Sequence, residues 1–299
     1  MSIINVITLS EPSCVCDGAE TTLPVQKRRF ALLAYLAMER SAPRARIVAL
    51  FYPEIDESRA GRRLTQSIYS IRQVFGSNCI ETRGGEVRAC ESLISDAGDF
   101  GTLADRGEYE LALALYRRPF LDGFYLSKAC DWERWVERRR AVLARTFSHA
   151  ARLWIGKLIE QANYVAAITQ ASRWLELDED NQEAHRLFMT ALARSGRGED
   201  ALCHYQNWER SLLEHQGDVP CEPMTAFIDN LRKNLGPAPV KPAEPEVHRP
   251  GKNGVLPMAL VPESSRVSRD GAPAPPAAEA PGRIRSMIQR ALKHRIAAL

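Results

Sequence analysis

Residues 57–88, ESRAGRRLTQSIYSIRQVFG followed by SNCIETRGGEVR, admit few folds. Ala60, Leu64, Ile68, Ile71 and Phe75 recur at spacings of three and four, which makes one apolar stripe along an amphipathic helix. At about 100° per residue, the opposite face carries Arg59, Arg62, Arg63, Gln66, Tyr69, Ser70 and Gln73. No carboxylate joins that face after Glu57. Gly76 stands just past the last apolar position, where a C-terminal cap belongs. Two β-prone runs, 79–82 and 86–89, then flank Arg83-Gly84-Gly85, the pattern of a hairpin with a glycine-rich turn. A helix with a bare cationic and amide face, followed at once by a basic hairpin, is the pattern of the second half of a winged helix. In that fold the helix enters the major groove and the hairpin touches the adjacent backbone. A surface helix with a solvated charged face is the plainer alternative, but such faces usually mix both signs and this one does not.

The charge distribution points the same way. The chain of 299 residues has a net charge of only +3, yet residues 27–88 hold 12 Lys/Arg against 6 Asp/Glu. A local excess of that size favours a polyanionic partner. The length allows two ordinary domains, and 45% hydrophobic with 26% charged residues is a globular balance. Seven scattered cysteines imply reduced thiols in a cytoplasmic protein rather than a disulfide framework. Cys14-x-Cys16 has no second ligand pair nearby, so no metal site is expected. No secretory signal opens the chain, and no run of about 18 apolar residues would span a membrane.

Taken in order, residues 2–23 hold short β-prone runs at 3–8 and 21–23 around Asp17-Gly18, read as a small antiparallel sheet. Helices follow at 26–39 and 45–51, the second ended by Tyr52-Pro53, and then the amphipathic helix and the hairpin. From residue 99 the pattern is wholly helical. A helix opens at Gly107-Glu108-Tyr109, a long one runs from 131 to 161, and pairs follow at 164–177 with 182–195 and at 198–215 with 222–235. Ala167-Ile168-x-x-Ala171 and Ala201-Leu202-x-x-Tyr205 are offset by 34 residues, the tetratricopeptide period, and Ala112-Leu113-x-x-Tyr116 shows the same local pattern. Residues 236–282 hold 11 of the 18 prolines and no aromatic residue, the composition of a disordered linker. Residues 283–299 place Ile284, Met287, Ile288, Ala291 and Leu292 largely on one helical face, with Arg283, Arg285, Arg290, Lys293 and Arg295 as cations. Such a basic amphipathic tail suits a surface of DNA, membrane or protein.

With this order in hand, the chain resembles the SARP family of bacterial transcriptional activators. Arg29-Phe30-Ala31-Leu32-Leu33-Ala34-Tyr35-Leu36 looks like that family's first helix, and Ile47-Val48-Ala49-Leu50-Phe51-Tyr52-Pro53 is similar to its L-x-x-L-W-P turn. Leu64-x-x-x-Ile68-x-x-Ile71-Arg72-x-x-Phe75-Gly76 is similar to its recognition helix. Phe120-Leu121-Asp122-Gly123-Phe124, Trp132-x-x-Trp135-Val136, and the run from Gln182-Glu183-Ala184-His185 to Ala201-Leu202-x-x-Tyr205 match its second domain. The resemblance covers about residues 20–232. It departs at the hairpin, where Gly84-Gly85-Glu86-Val87 replaces the common Gly-Tyr, and no G-x-x-x-x-G-K-[ST] sequence is present, so the ATPase module of the larger members is not implied.

The expectation is therefore a mostly α chain. Residues 1–98 form a winged-helix DNA-binding domain with small β elements, and 99–235 a tetratricopeptide-like bacterial transcriptional activator domain. A linker at 236–282 and a tail at 283–299 complete it. The resemblance implies a cytoplasmic transcriptional activator whose partners are double-stranded DNA and RNA polymerase, with a homodimer as a further option, no cofactor and no integral membrane contact. Arg59, Arg62, Arg63, Gln66, Tyr69, Ser70, Gln73 and Arg83 are the candidate DNA-binding residues. His185 and the five tryptophans read as packing residues, and no catalytic order of Ser, His and Asp is found, so an enzyme is not expected. The alternative is a tetratricopeptide-type adaptor whose winged helix no longer binds DNA.

Overall fold

Alternation in Ile4-Asn5-Val6-Ile7 makes strand β1 (Ile4–Ile7), which buries Ile4 and Val6 and leaves Asn5 and Ile7 half-buried. The computed structural model describes residues 3–17, 19–20, 26–216 and 219–235, all inside the unit Met1–Leu235. The expected β-prone run at 21–23, the linker at 236–282 and the tail at 283–299 lie outside the described residues. β2 (Ser13–Cys16) runs antiparallel to β1, with Ile4 opposite Cys16, and β3 (Ala19–Glu20) adds to β2. Then come α1 (Lys27–Glu39), β4 (Ser41–Pro43), α2 (Arg44–Phe51), α3 (Glu57–Phe75), β5 (Ile80–Arg83), β6 (Glu86–Ala89) and β7 (Leu93–Ser95). β7 returns to pair in parallel with β1, so the first sheet has the order β3-β2-β1-β7. It is mixed, not the purely antiparallel sheet expected from residues 2–23. The closing strand has three residues and comes from the far side of the hairpin, a pairing without a local signal.

The hairpin sheet also has one strand more than the sequence suggested. β4 pairs antiparallel with β6, giving the order β4-β6-β5. A three-residue strand containing Pro43 escapes pattern reading, and proline is tolerated there because β4 lies at the sheet edge. Arg40, at φ +64°, turns the chain from α1 into β4, and its guanidinium donates to the carbonyls of Leu93 and Cys90. These bonds hold a non-glycine residue in the left-handed region.

The rest is helical: α4 (Asp96–Asp105), α5 (Tyr109–Leu115), α6 (Cys130–Glu160), α7 (Tyr164–Leu177), α8 (Gln182–Arg194), α9 (Gly198–Gln216) and α10 (Glu222–Leu235). Ser95, Asn163 and Asn181 cap α4, α7 and α8 by accepting from the amides of Gly98, Ala166 and Ala184. Asp96 is buried and accepts from the Thr8 amide at 2.8 Å, the Thr8 hydroxyl at 2.6 Å and the Leu9 amide at 2.9 Å, which ties α4 to the end of β1. The repeat positions read from sequence are all buried: Ala112 and Tyr116, Ala167 and Ala171, and Ala201 and Tyr205. Small residues there let neighbouring helices approach closely. Leu153 of α6 is 37% exposed.

The winged helix and the helical array meet in an aromatic joint. Tyr35 of α1 lies 5.0 Å from Trp135, Phe51 of α2 lies 5.1 Å from Trp132, and Phe30 lies 5.3 Å from Phe124. The two tryptophans lie 5.0 Å apart. Polar bonds rim this core. Trp135 Nε1 donates to Glu39 at 2.6 Å, and Arg139 pairs with the same carboxylate. Burial alone would raise the Glu39 carboxyl, but the hydrogen bonds from Arg139 and Trp135 outweigh it and hold its pKa below the ordinary value. One apolar cluster consequently runs from Ile4 to Ala191 through both halves, and a second fills the space among α8, α9 and α10.

His185 serves the packing of α8 on α9. Its Nε2 lies 2.8 Å from the Glu179 carbonyl and must donate to it, so Nδ1 of the neutral ring accepts from His204 Nε2 at 2.9 Å. Trp208 lies 4.6 Å from the His185 ring, and Phe188 4.6 Å from the His204 ring. Burial, and then the neighbouring His185, push the His204 pKa down to about 4. An unfolded imidazole titrates near 6.5. The stabilising effect of this site is thus complete above about pH 6.5 and is lost as the pH falls toward 4, because the unfolded chain takes up a proton that the folded chain excludes. Urea denaturation should show stability falling between neutral pH and pH near 4.5, and His204→Phe should make that fall smaller.

Candidate nucleic-acid interface

α3 owes its position to both of its ends. Asp56 caps it by accepting from the Arg59 amide at 2.9 Å, and Gly76 ends it at φ +91°. Cys79 Sγ donates to the Gly76 carbonyl at 3.1 Å. The stripe Ala60, Leu64, Ile68, Ile71 and Phe75 is buried as its spacing implies. Ser67 joins it, bonded to the Tyr52 hydroxyl at 3.0 Å.

Two arginines outside the candidate set lock α3 to its surroundings. Arg44 of α2 donates to the Gly61 carbonyl at 2.6 Å and to Thr65 Oγ1 at 2.5 Å. A Cβ at position 61 would lie 3.9 Å from the Arg44 guanidinium, an ordinary van der Waals contact, so the crossing has room for an alanine there. Arg72 points toward the hairpin and donates through Nε and Nη2 to the Ile80 carbonyl, at 3.1 and 2.9 Å. It fixes the wing to the helix. Neither role could be read from a helical wheel, which assigns faces but not partners.

Of the sequence candidates on α3, Arg59, Arg62, Arg63, Gln66, Tyr69 and Gln73 are exposed and share the face opposite the stripe, while Ser70 is half-buried at its margin. Arg59 forms an ion pair with Asp56 at 3.3 Å, and Arg62 Nη1 donates to Ser58 Oγ at 3.2 Å. Arg63 has no hydrogen bond or ion pair among the described residues. Tyr69 is 62% exposed, and Val74, which the wheel did not single out, is 50% exposed.

Arg83 stands apart from this face, at the tip of the wing. It belongs to β5, opposite Glu86, so the turn is Gly84-Gly85 alone, with φ +60° and +81°. A two-residue turn with both φ positive matches the strand twist, and two glycines adopt it without strain. Arg88 pairs with Glu86 at 2.7 Å, which leaves Arg83 as the cation of the tip without a carboxylate partner among the described residues.

The geometry defines a protein that joins a winged helix, with a basic and amide-rich exposed face, to a tetratricopeptide-like helical array. Residues 92–232, from just before β7 into α10, match the family model described as bacterial transcriptional activator domain. No curated protein matches the chain. Among solved structures, EmbR of Mycobacterium tuberculosis, determined in complex with a low-affinity phosphopeptide, is similar in fold. It has a TM-score of 0.61 and 18% identity over 80% of this chain and 67% of that one. The helical part of the chain thus matches a bacterial transcriptional activator domain, and the fold is similar to that of EmbR. Among the described residues, no helix is long and apolar enough to cross a membrane, and no group of His, Cys, Asp and Glu could hold a metal ion.

Proposed function

We propose that the chain is a sequence-specific DNA-binding activator of transcription that works in the cytoplasm. In this reading α3 lies in the major groove. Arg59, Arg62 and Arg63 hold phosphates or guanine edges, and Gln66, Tyr69, Ser70 and Gln73 meet base edges or backbone. Arg83 carries the wing to the adjacent phosphates. Residues 1–98 do this work, and 99–235 present the helical array to RNA polymerase or to a second protomer. The observation that carries the reading is the exposed face of α3: cations and amides without a carboxylate after Glu57, held in one orientation by Arg44 and Arg72.

An electrophoretic mobility shift of the full chain on DNA from upstream of its own gene, at stated salt, tests it. A discrete complex resisting competitor DNA is expected. Binding equal to that of unrelated DNA would leave only the electrostatic component, and no binding would favour the adaptor.

A further inference from the structure

Beside α3 there is a cavity of about 300 Å³ whose walls come from two helices and one turn. Arg28, Arg29 and Gln26 line it from the start of α1, Arg63 and Gln66 from α3, and Tyr52 from the end of α2. No carboxylate lines it among the described residues. Glu54, which pairs with the lining Arg28 at 3.1 Å, is also held by Lys128 at 3.2 Å.

Three observations suit this cavity to an anion. Arg29 Nε is buried and has no hydrogen-bond partner among the described residues. A charged donor in that condition is costly and wants an acceptor. The first turn of α1 is Lys27, Arg28 and Arg29, with no acidic residue, and Gln26 provides no side-chain cap. Three cations therefore crowd the positive end of a helix dipole, where anions are ordinarily favoured. Finally, Arg63 reaches the same cavity without a partner among the described residues.

We propose that this cavity is a seat for a phosphodiester of the DNA backbone. Arg29 and Arg63 would donate to its oxygens from two sides, and Gln26 and Gln66 would frame the mouth. The proposal rests on the DNA-binding reading and adds α1 to it. Arg63 and Gln66 lie both in the cavity wall and on the exposed face of α3, so a groove occupied by α3 brings its flanking backbone to this mouth. Because Arg28 also donates to the Ser127 carbonyl at 3.2 Å, the seat borders the contact between the winged helix and the helical array.

The test measures fluorescence polarisation of the full chain on a mixed-sequence duplex over a salt series, for the native protein, Arg29→Gln, Arg29→Lys and Gln66→Glu. Arg29→Gln should weaken binding about tenfold and flatten the slope of log K against log salt by about one unit, and Arg29→Lys should restore most of the slope. Gln66→Glu places a carboxylate at the mouth from an exposed position. It should reproduce the weakening even where Arg29→Gln proves poorly folded. In parallel, thermal denaturation compares sodium phosphate with sodium chloride at matched ionic strength, where phosphate should raise Tm for the native chain and not for Arg29→Gln. An unchanged slope in both Arg29→Gln and Gln66→Glu overturns the proposal. Phosphate stabilisation that depends on Arg29, with duplex binding unaffected, overturns the DNA source and assigns the seat to a free phosphate ligand. A native chain that binds no duplex overturns the DNA-binding reading, and the seat on DNA with it.

Discussion

Replacing both Arg62 and Arg63 with alanine should lower affinity for duplex DNA by about ten- to a hundredfold near physiological salt. It should also flatten the dependence of log K on log salt by up to about one unit for each phosphate no longer neutralised. Both side chains are exposed on the polar face, and the bond from Arg62 to Ser58 is a surface bond at 3.2 Å. The fold should therefore keep its stability within about 0.5 kcal/mol. Salt-dependent binding isotherms and urea denaturation, run on the same samples, separate the two effects. If affinity falls while the salt slope stays fixed, these arginines read base edges or act through α3 itself. If both stay fixed, the face is not the DNA contact and the adaptor is the better account.

Trp132→Ala should destabilise the chain by about 3–5 kcal/mol, one of the largest effects available at a single position. The side chain is fully buried and meets Phe51 at 5.1 Å, Trp135 at 5.0 Å and Phe124 at 6.4 Å. Its indole Nε1 has no hydrogen-bond partner among the described residues. Trp132→Phe therefore sacrifices volume but no bond and should cost far less, about 1–2 kcal/mol. Urea midpoints for the two variants check the comparison. Equal destabilisation would mean that a phenyl ring cannot replace the indole in this joint. Because one apolar cluster runs through both halves, the native chain should unfold the residues up to 191 in a single transition.

The two best-read features of the sequence were those with strong local periodicity. Five apolar residues at spacings of three and four located α3 and its exposed face, and Gly84-Gly85 located the wing turn. The buried Ala112, Ala167 and Ala201, recurring in the same local pattern, located the helical repeats. What escaped was set by distance. β7 pairs with β1, and β4 with β6, through short segments whose partners lie far along the chain. Ser67 enters the buried stripe because Tyr52 satisfies its hydroxyl, a contact that no wheel displays. The tryptophans were read as packing residues, yet nothing in their spacing disclosed that Trp132 and Trp135 pack on the winged helix as well as on Phe120 and Phe124. Arg29 was legible only as part of a helix start, since the cavity it lines needs three separate segments to exist.

The aromatic joint also bears on geometry along the duplex. With Tyr35, Phe51, Trp132 and Trp135 interlocked and Glu39 clamped by Trp135 and Arg139, α3 and α6 belong to one stiff body. Once α3 is seated in a groove, the azimuth of the array around the DNA axis is decided. Displacing the binding site by half a turn of B-DNA, about 5 base pairs, carries the array to the opposite side of the double helix, while a full turn of about 10.5 base pairs returns it to the same side. If the chain binds DNA as proposed, this joint makes it a protractor: the spacing of its site from a promoter then matters through its phase as well as through its length.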